Sequence, residues 1–208
     1  MPTPLNLKAF VPPNSPILRQ KAELLRDEEI GSSQTKQHIK TMLRVALGEQ
    51  NYISTPLLVG LAAPQIGIPK RIILVDVAAN GKGSVGNLHV FINPEIIWSS
   101  ADLDRWYEGC FSTGCICGIV HRPENIRVKW INADGSREMR AFSGYTARIF
   151  QHEIDHLDGK VFVDRILDDD DIHWVERSKF AAYRNDQGWR NWPHKCTRAR
   201  WEEMLKGP

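Results

Sequence analysis

Two stretches of the chain carry a helical period. From Thr35, the apolar residues Ile39, Met42, Leu43, Ala46 and Leu47 follow i, i+3, i+4, i+7, i+8 spacing, and Gly48 suits the end of an amphipathic core-packing helix. The second stretch runs from Ser143, a candidate N-cap, through Tyr145, Ala147, Ile149, Phe150, Ile154 and Leu157 to Gly159. Its apolar side chains fill more than one stripe and leave only Arg148, Gln151 and Asp155 as a narrow polar edge, the mark of a mostly buried helix. Strand signals surround it. Arg71 to Val77 is a β-branched apolar run that predicts a buried strand. Val90 to Ile92 and Ile96 to Ser99 predict short strands split by Asn93-Pro94. Ile126, Val128 and Trp130 alternate with Arg127 and Lys129, and Asn132-Ala133-Asp134-Gly135 turns the chain into a strand around Glu138 to Phe142, a hairpin leading into the second helix. Val161 to Val163 predicts one more short strand, and Ala22 to Arg26 a weak helix. The expected fold is α+β: short antiparallel strands around the buried helix 143 to 158, with an N-terminal amphipathic helix.

The 208 residues suffice for one good-sized domain. Met1 to Pro16 is proline-rich and expected to be an extended arm, and Asn80 to Asn87 is a glycine-rich turn without a phosphate-loop pattern. The acidic run Asp168 to Asp171 closes the compact part, dividing the chain into a catalytic-sized body, 1–171, and a basic, Trp-rich extension, 172–208. The extension carries eight Lys or Arg against four Asp or Glu, while the whole chain is only +2. Lys195, Arg198 and Arg200 beside Trp192 and Trp201 would suit RNA contact; a solvated tail packing its tryptophans on the body is the plainer alternative. No apolar run reaches membrane-span length and Met1 to Phe10 has no signal-peptide core, so no membrane partner is expected. The expected compartment is the cytoplasm, with a mature organellar form left open. Cysteines at 110, 115, 117 and 196 do not resemble a secreted disulfide framework and are expected as reduced thiols.

Chemistry concentrates at Gln151-His152-Glu153-Ile154-Asp155-His156-Leu157-Asp158-Gly159. On a helix, residues four apart lie about 40° apart around the axis and about 6 Å along it, so His152 and His156 can grip one metal ion from one face. Glu153 is placed to act as general base on a water beside that ion. A hydrolytic site of this kind needs a third protein ligand. The candidates are Cys110 upstream, and downstream His173, His194, Glu176 or the carboxylates at 168 to 171. A buried structural cysteine is the bland alternative at 110, and Cys115 and Cys117 compete for the ligand role.

Three stretches in order, Gly60-Leu61-Ala62-Ala63-Pro64-Gln65, Glu108-Gly109-Cys110-Phe111-Ser112 and the 151–159 run, resemble the three signature motifs of peptide deformylase. The resemblance covers roughly Asn14 to Leu167. It implies a metal-dependent hydrolase that removes the formyl group from the N-terminal methionine of new polypeptides. It implies Cys110, His152 and His156 as metal ligands, and one divalent ion per chain. That ion is ferrous iron in the family's usual form, with nickel, cobalt or zinc able to substitute. Glu153 would be the acid–base residue, and Gln65 with the backbone N–H of Phe111 would hold the oxyanion. Val59 and Gly60 would pair with the peptide backbone, while Trp106, Tyr145 and Ile149, with Phe111, would shape the methionine pocket. Arg122 and Asp155 match a bracing pair. Leu58 stands where many members have glycine and Phe111 where many have leucine. The stretch Thr113 to His121 departs from common bacterial members and is similar to the divergent branch that includes mitochondrial enzymes.

Two other readings compete. An ordinary His-Glu-x-x-His metallopeptidase would take His173 or Glu176 as third ligand. A non-catalytic metal protein would dock on the ribosome through the basic tail.

Overall fold

The computed structural model describes residues 9–48, 58–82 and 84–206. The first part of the proline-rich arm and one glycine of the 80–87 turn therefore lie outside the described residues. Five helices are present among them: α1 (Asp27–Ile30), α2 (Ser33–Leu47), α3 (Gly144–Leu157), α4 (Phe180–Arg184) and α5 (Arg198–Leu205). Eight strands accompany them: β1 (Gly60–Ala62), β2 (Ile72–Asp76), β3 (Leu88–Ser99), β4 (Leu103–Gly109), β5 (Ile116–Pro123), β6 (Asn125–Ile131), β7 (Arg137–Ser143) and β8 (Ile172–Trp174). They form a five-stranded sheet in the order β1-β2-β3-β6-β7 and a three-stranded sheet in the order β4-β5-β8, every pairing antiparallel. This is the α+β architecture expected from the periodicity.

The larger sheet is covered on both faces. Ile73 and Val75 of β2 pack with Ala147, Phe150, Ile154 and Leu157 of α3. Their neighbours Ile72 and Leu74 pack with Met42 and Ala46 of α2. A strand buried on both sides reads as an unbroken apolar run, which is why 72–75 carries no alternation. α2 begins earlier than Thr35, with the Ser32 hydroxyl accepting the Thr35 N–H at 3.1 Å. At α3, Ser143 occupies the N-cap position but its hydroxyl makes no capping bond.

Several local expectations need correction. Ala22 to Arg26 is not helical, because its backbone is spent on tertiary bonds: Ala22 N–H to the Leu157 carbonyl, Glu23 N–H to Pro69, and Leu25 N–H to the Asn93 side chain. The helix starts at Asp27 instead. Asn93-Pro94 does not split two strands; it bends one. Asn93 takes a left-handed conformation, φ 50°, within a register shift of β3 against β6, and its amide bonds both backbone groups of Leu25. Val161 to Val163 is not a strand, since the Asp164 carboxylate accepts the Val161 N–H and winds Phe162–Arg165 into a 3-10 turn. The β4–β5 hairpin was not legible as strands.

The residues after 171 share apolar clusters with the body. β8 pairs with β5, Trp201 of α5 packs with Ile116 and Phe162, and Trp189 and Tyr183 pack with Cys117 and Ile119. His173 is fully buried, with Nδ1 3.0 Å from the Tyr183 hydroxyl and Nε2 3.0 Å from the Lys195 ammonium, which donates to it. Burial, then the adjacent Lys195 charge, push its pKa down to about 4. A folded-state value below the ordinary 6.5 means that the imidazole's contribution is complete above pH 6.5 and is lost as pH falls through 4. Urea unfolding of wild type and His173→Gln across that window should therefore converge as the pH is lowered, with wild type losing the more. Parallel curves would show that His173 does not change its charge.

Candidate metal centre

The site forms where the β4–β5 hairpin meets α3. Cys110 follows β4 in extended conformation, and the Thr113 hydroxyl donates to its carbonyl at 2.9 Å, fixing the turn that presents the thiol. Two residues apart on an extended chain share a side, so Glu108 and Cys110 both face α3. His152 and His156 meet them from one face of the helix.

Donor atoms of Cys110, His152 and His156 all lie within 4.8 Å of one another, the one such cluster found among the described residues. The Cys110 sulfur is 3.3 Å from His156 Nε2. Burial opposes the thiolate, yet the imidazoles of His156 and His152 outweigh it and hold the Cys110 pKa well below its ordinary value. One soft sulfur and two imidazole nitrogens suit a divalent zinc-, iron-, cobalt- or nickel-like ion. Nδ1 of His156 and Oε2 of Glu153 are buried without a protein partner, a cost that a polar, charged centre offsets better than apolar packing. The residues present therefore fit a metal. His173 and Glu176, the alternative third ligands, lie elsewhere: His173 is engaged by Tyr183 and Lys195.

Behind His152 stands a buried ionic network. Its Nδ1 is 2.8 Å from Glu108 Oε2, the bond that orients a ligating imidazole. Glu108 also accepts from Arg122 Nε at 2.7 Å, Arg122 Nη2 at 2.9 Å and Arg148 Nη1 at 2.8 Å. Burial works against this carboxylate, but Arg122 and His152 prevail and keep its pKa well below the usual range. Arg122 continues to Asp155 at 2.7 Å, and Arg165 closes on the same carboxylate. Arg148, Gln151 and Asp155, the helix's expected polar edge, are thus all buried.

Glu153 is buried beside the ligands, and burial, opposed by the two imidazoles, lifts its pKa to about 7. It packs against Gly60: a Cβ there would stand 2.4 Å from Glu153 Oε1 and 2.8 Å from Ile149 Cγ2, so only glycine fits. Gln65 accepts the Ala62 N–H at 2.7 Å through Oε1, which aims its amide nitrogen at Cys110 Sγ and Ser112 Oγ, each 3.2 Å away. Val59 and Tyr145 border the apolar cluster that holds Ile149. Trp106 belongs to a different cluster, against Trp189 and Tyr107. Phe111 is half open to solvent and stacks on Phe10 of the N-terminal arm, centroids 5.1 Å apart.

Sequence reasoning gave no role to Glu108, Arg148, Ser112 or Arg165. Two signals were available: Glu108 lies two residues before Cys110 on an extended chain, and Arg148 lies four before His152 on a helix. Arg165 had none.

The family model described as Polypeptide deformylase matches residues 7–171. The chain belongs to the peptide deformylase family. It is 34% identical over 162 residues to the peptide deformylase of Agrobacterium fabrum, covering 78% of this chain and 88% of that one. Identity to the Bartonella tribocorum deformylase is 42% over 108 residues, 52% of this chain, and the chain spans 61% of that relative's length. Among solved structures, the Met-Ala-Ser-bound class I type b deformylase of Acinetobacter baumannii superposes with a TM-score of 0.65 at 34% identity, covering 75% of this chain and 97% of that one. The Cys-His-His centre on α3 is the deformylase type of site.

Glu108→Gln should weaken metal binding about 10–100-fold, because His152 loses its orienting carboxylate. Competition with a chromogenic chelator measures this, and unchanged affinity would remove Glu108 from the centre's support.

Proposed function

We propose that this centre hydrolyses the N-formyl amide of newly made polypeptides, releasing formate and a free N-terminal methionine. The observation that carries the reading is the convergence of three functions at one point: the Cys110/His152/His156 donors, the buried Glu153 carboxylate and the Gln65 amide turned toward Cys110. The Met-Ala-Ser bound to the Acinetobacter relative agrees with a peptide of this kind as ligand.

Cys110, His152 and His156 would hold one divalent ion, ferrous in our reading with nickel, cobalt or zinc able to replace it, and that ion would supply Lewis acidity and make water more acidic. Glu153 takes a proton from the attacking water and passes it to the amide nitrogen as the C–N bond breaks. As the carbonyl oxygen becomes negative, the Gln65 amide and the Phe111 N–H donate to it. Because Ala62 fixes the Gln65 oxygen, that donor is oriented before substrate arrives. The peptide lies extended along Val59 and Gly60, with its methionine among Tyr145, Ile149 and Trp106. Arg122 and Asp155 brace α3.

The finer readings are these. The chain belongs to the divergent branch, on the strength of the stretch after Ser112. Residues 1–171 form the catalytic part and 172–208 an added extension. The chain works in the cytoplasm, where four free thiols are at home; no helix among the described residues is long and apolar enough to cross a membrane. The extension offers a ribosome-docking surface, supported by exposed Arg177, Lys179, Arg184 and Arg190. Since Trp189 and Trp201 are buried, charge reversal at those four positions tests docking better than truncation: salt-sensitive ribosome binding should drop sharply while the fold persists. Binding that survives the reversal would sink that reading.

The deciding measurement is formate release from formyl-Met-Ala-Ser by anaerobically purified protein with its metal counted. Glu153→Ala should keep its metal and lose at least about a hundredfold in turnover. Normal turnover in that variant would overturn the mechanism. Cys110→Ser should lose bound metal where His173→Ala keeps it, and the reverse result would restore the metallopeptidase reading.

A further inference from the structure

The two faces of β4 meet different surroundings. Glu108 and Cys110 point at α3, so Tyr107 and Gly109 present the opposite face. That opposite face is covered by the segment after residue 171. Tyr107 packs edge-on against Phe180 and Tyr183, with centroids 6.5 and 5.4 Å apart, and a Cβ on Gly109 would lie 3.7 Å from Phe180 Cε2. Phe180 nevertheless keeps 39% of its surface exposed. A large apolar ring thus stands half open beside Gly109, the residue before Cys110, on a helix outside the 7–171 family match.

β1 and β4 are each the outermost strand of their sheets among the described residues, and both border the metal centre. An extended peptide laid along such an edge alternates its side chains between the two faces, advancing about 3.3 Å per residue. With the formyl carbon at Glu153 and the methionine side chain on the α3 face, beside Tyr145 and Ile149, the second residue's side chain turns to the other face. There it meets Gly109, Tyr107 and Phe180. We propose that Phe180 is a specificity-determining residue, the wall against which the side chain of the substrate's second residue packs, and that it makes the protein favour a large apolar residue at that position. The proposal rests on the deformylase reading and adds to it a contribution from the C-terminal segment.

The test compares formyl-Met-Phe-Ser with formyl-Met-Ala-Ser on the metal-loaded full chain, alongside calorimetry with the unformylated Met-Phe-Ser and Met-Ala-Ser, which needs no turnover. Wild type should favour the phenylalanine peptide by about tenfold in kcat/KM and in affinity. Phe180→Ala should bring both ratios to about one, and Phe180→Leu should retain an intermediate preference. Equal affinity of the two peptides for wild type, or a preference that survives Phe180→Ala, overturns the proposal. A binding preference that Phe180→Ala abolishes, in a protein that releases no formate, would uphold Phe180's role and count against the hydrolase reading alone.

Discussion

The centre depends on one buried carboxylate. Glu108 leaves water at the end of β4 and is compensated from three directions, by Arg122 on β5 and by Arg148 and His152 on α3. Desolvating such a charge costs several kcal/mol in a real protein, so the arrangement persists only because both oxygens are fully engaged. The same bonds that satisfy the carboxylate tie the small sheet to the metal-bearing helix. They also fix which way the His152 ring turns, so the geometry of the metal ligands follows from the ion pairs behind them. Asp155 extends the constraint: it takes up the far side of Arg122 and receives Arg165, so the Arg122 guanidinium is held between two carboxylates. Removing one member strands the others, and the cost of breaking a buried pair, about 3–5 kcal/mol, exceeds what most core truncations of one methyl would produce.

Legibility from sequence tracked how local the governing physics was. α2 and α3 were plain because their stripes repeat along the chain, and β6–β7 because alternation and an Asn-to-Gly turn are short-range signals. The metal ligands on α3 were plain because four-residue spacing is itself geometry. Cys110 could be nominated among several candidates, but residue spacing did not select it; the motif resemblance did, and the fold then placed it 3.3 Å from His156. β4 and β5 escaped notice because two of their charged residues, Glu108 and Arg122, are buried by partners distant in sequence. Glu108, Arg122 and Arg148 look like surface charges until the hairpin and the helix are brought together. Ala22 to Arg26 failed for the converse reason: its helical spacing is genuine, with Ala22 and Leu25 both buried, but tertiary acceptors claim the backbone.

Beyond residue 171 the chain behaves as part of the same packed body, since Trp189, Trp201 and Tyr183 are interior side chains. This explains how a segment with an excess of positive charge can be ordered: Arg177, Lys179, Arg184 and Arg190 sit outside while those three rings are inside. Arg190 lies over Trp189 and Arg200 over Trp174, so two of the cations also shield ring faces. The family match ends where this segment begins, yet the segment closes the back of β4, the strand that ends in the ligand cysteine.

Glu153 is the residue that stability alone would not retain. One of its oxygens has no protein partner, and burial, against the pull of the two imidazoles, lifts its pKa to about 7. The neighbouring position must then be glycine, with the backbone entropy that glycine adds to the unfolded chain. Local rules are broken twice at the same contact, a pattern expected where a carboxyl group is kept for proton transfer rather than for packing. The fold tolerates it because compensation lies close by: a cation held by Cys110, His152 and His156 would favour the charged carboxylate, while the Glu108 network supports the helix that carries it. Folding and chemistry therefore draw on the same charges, and a change that relieves the buried acid would be expected to stabilise the protein and silence the site together.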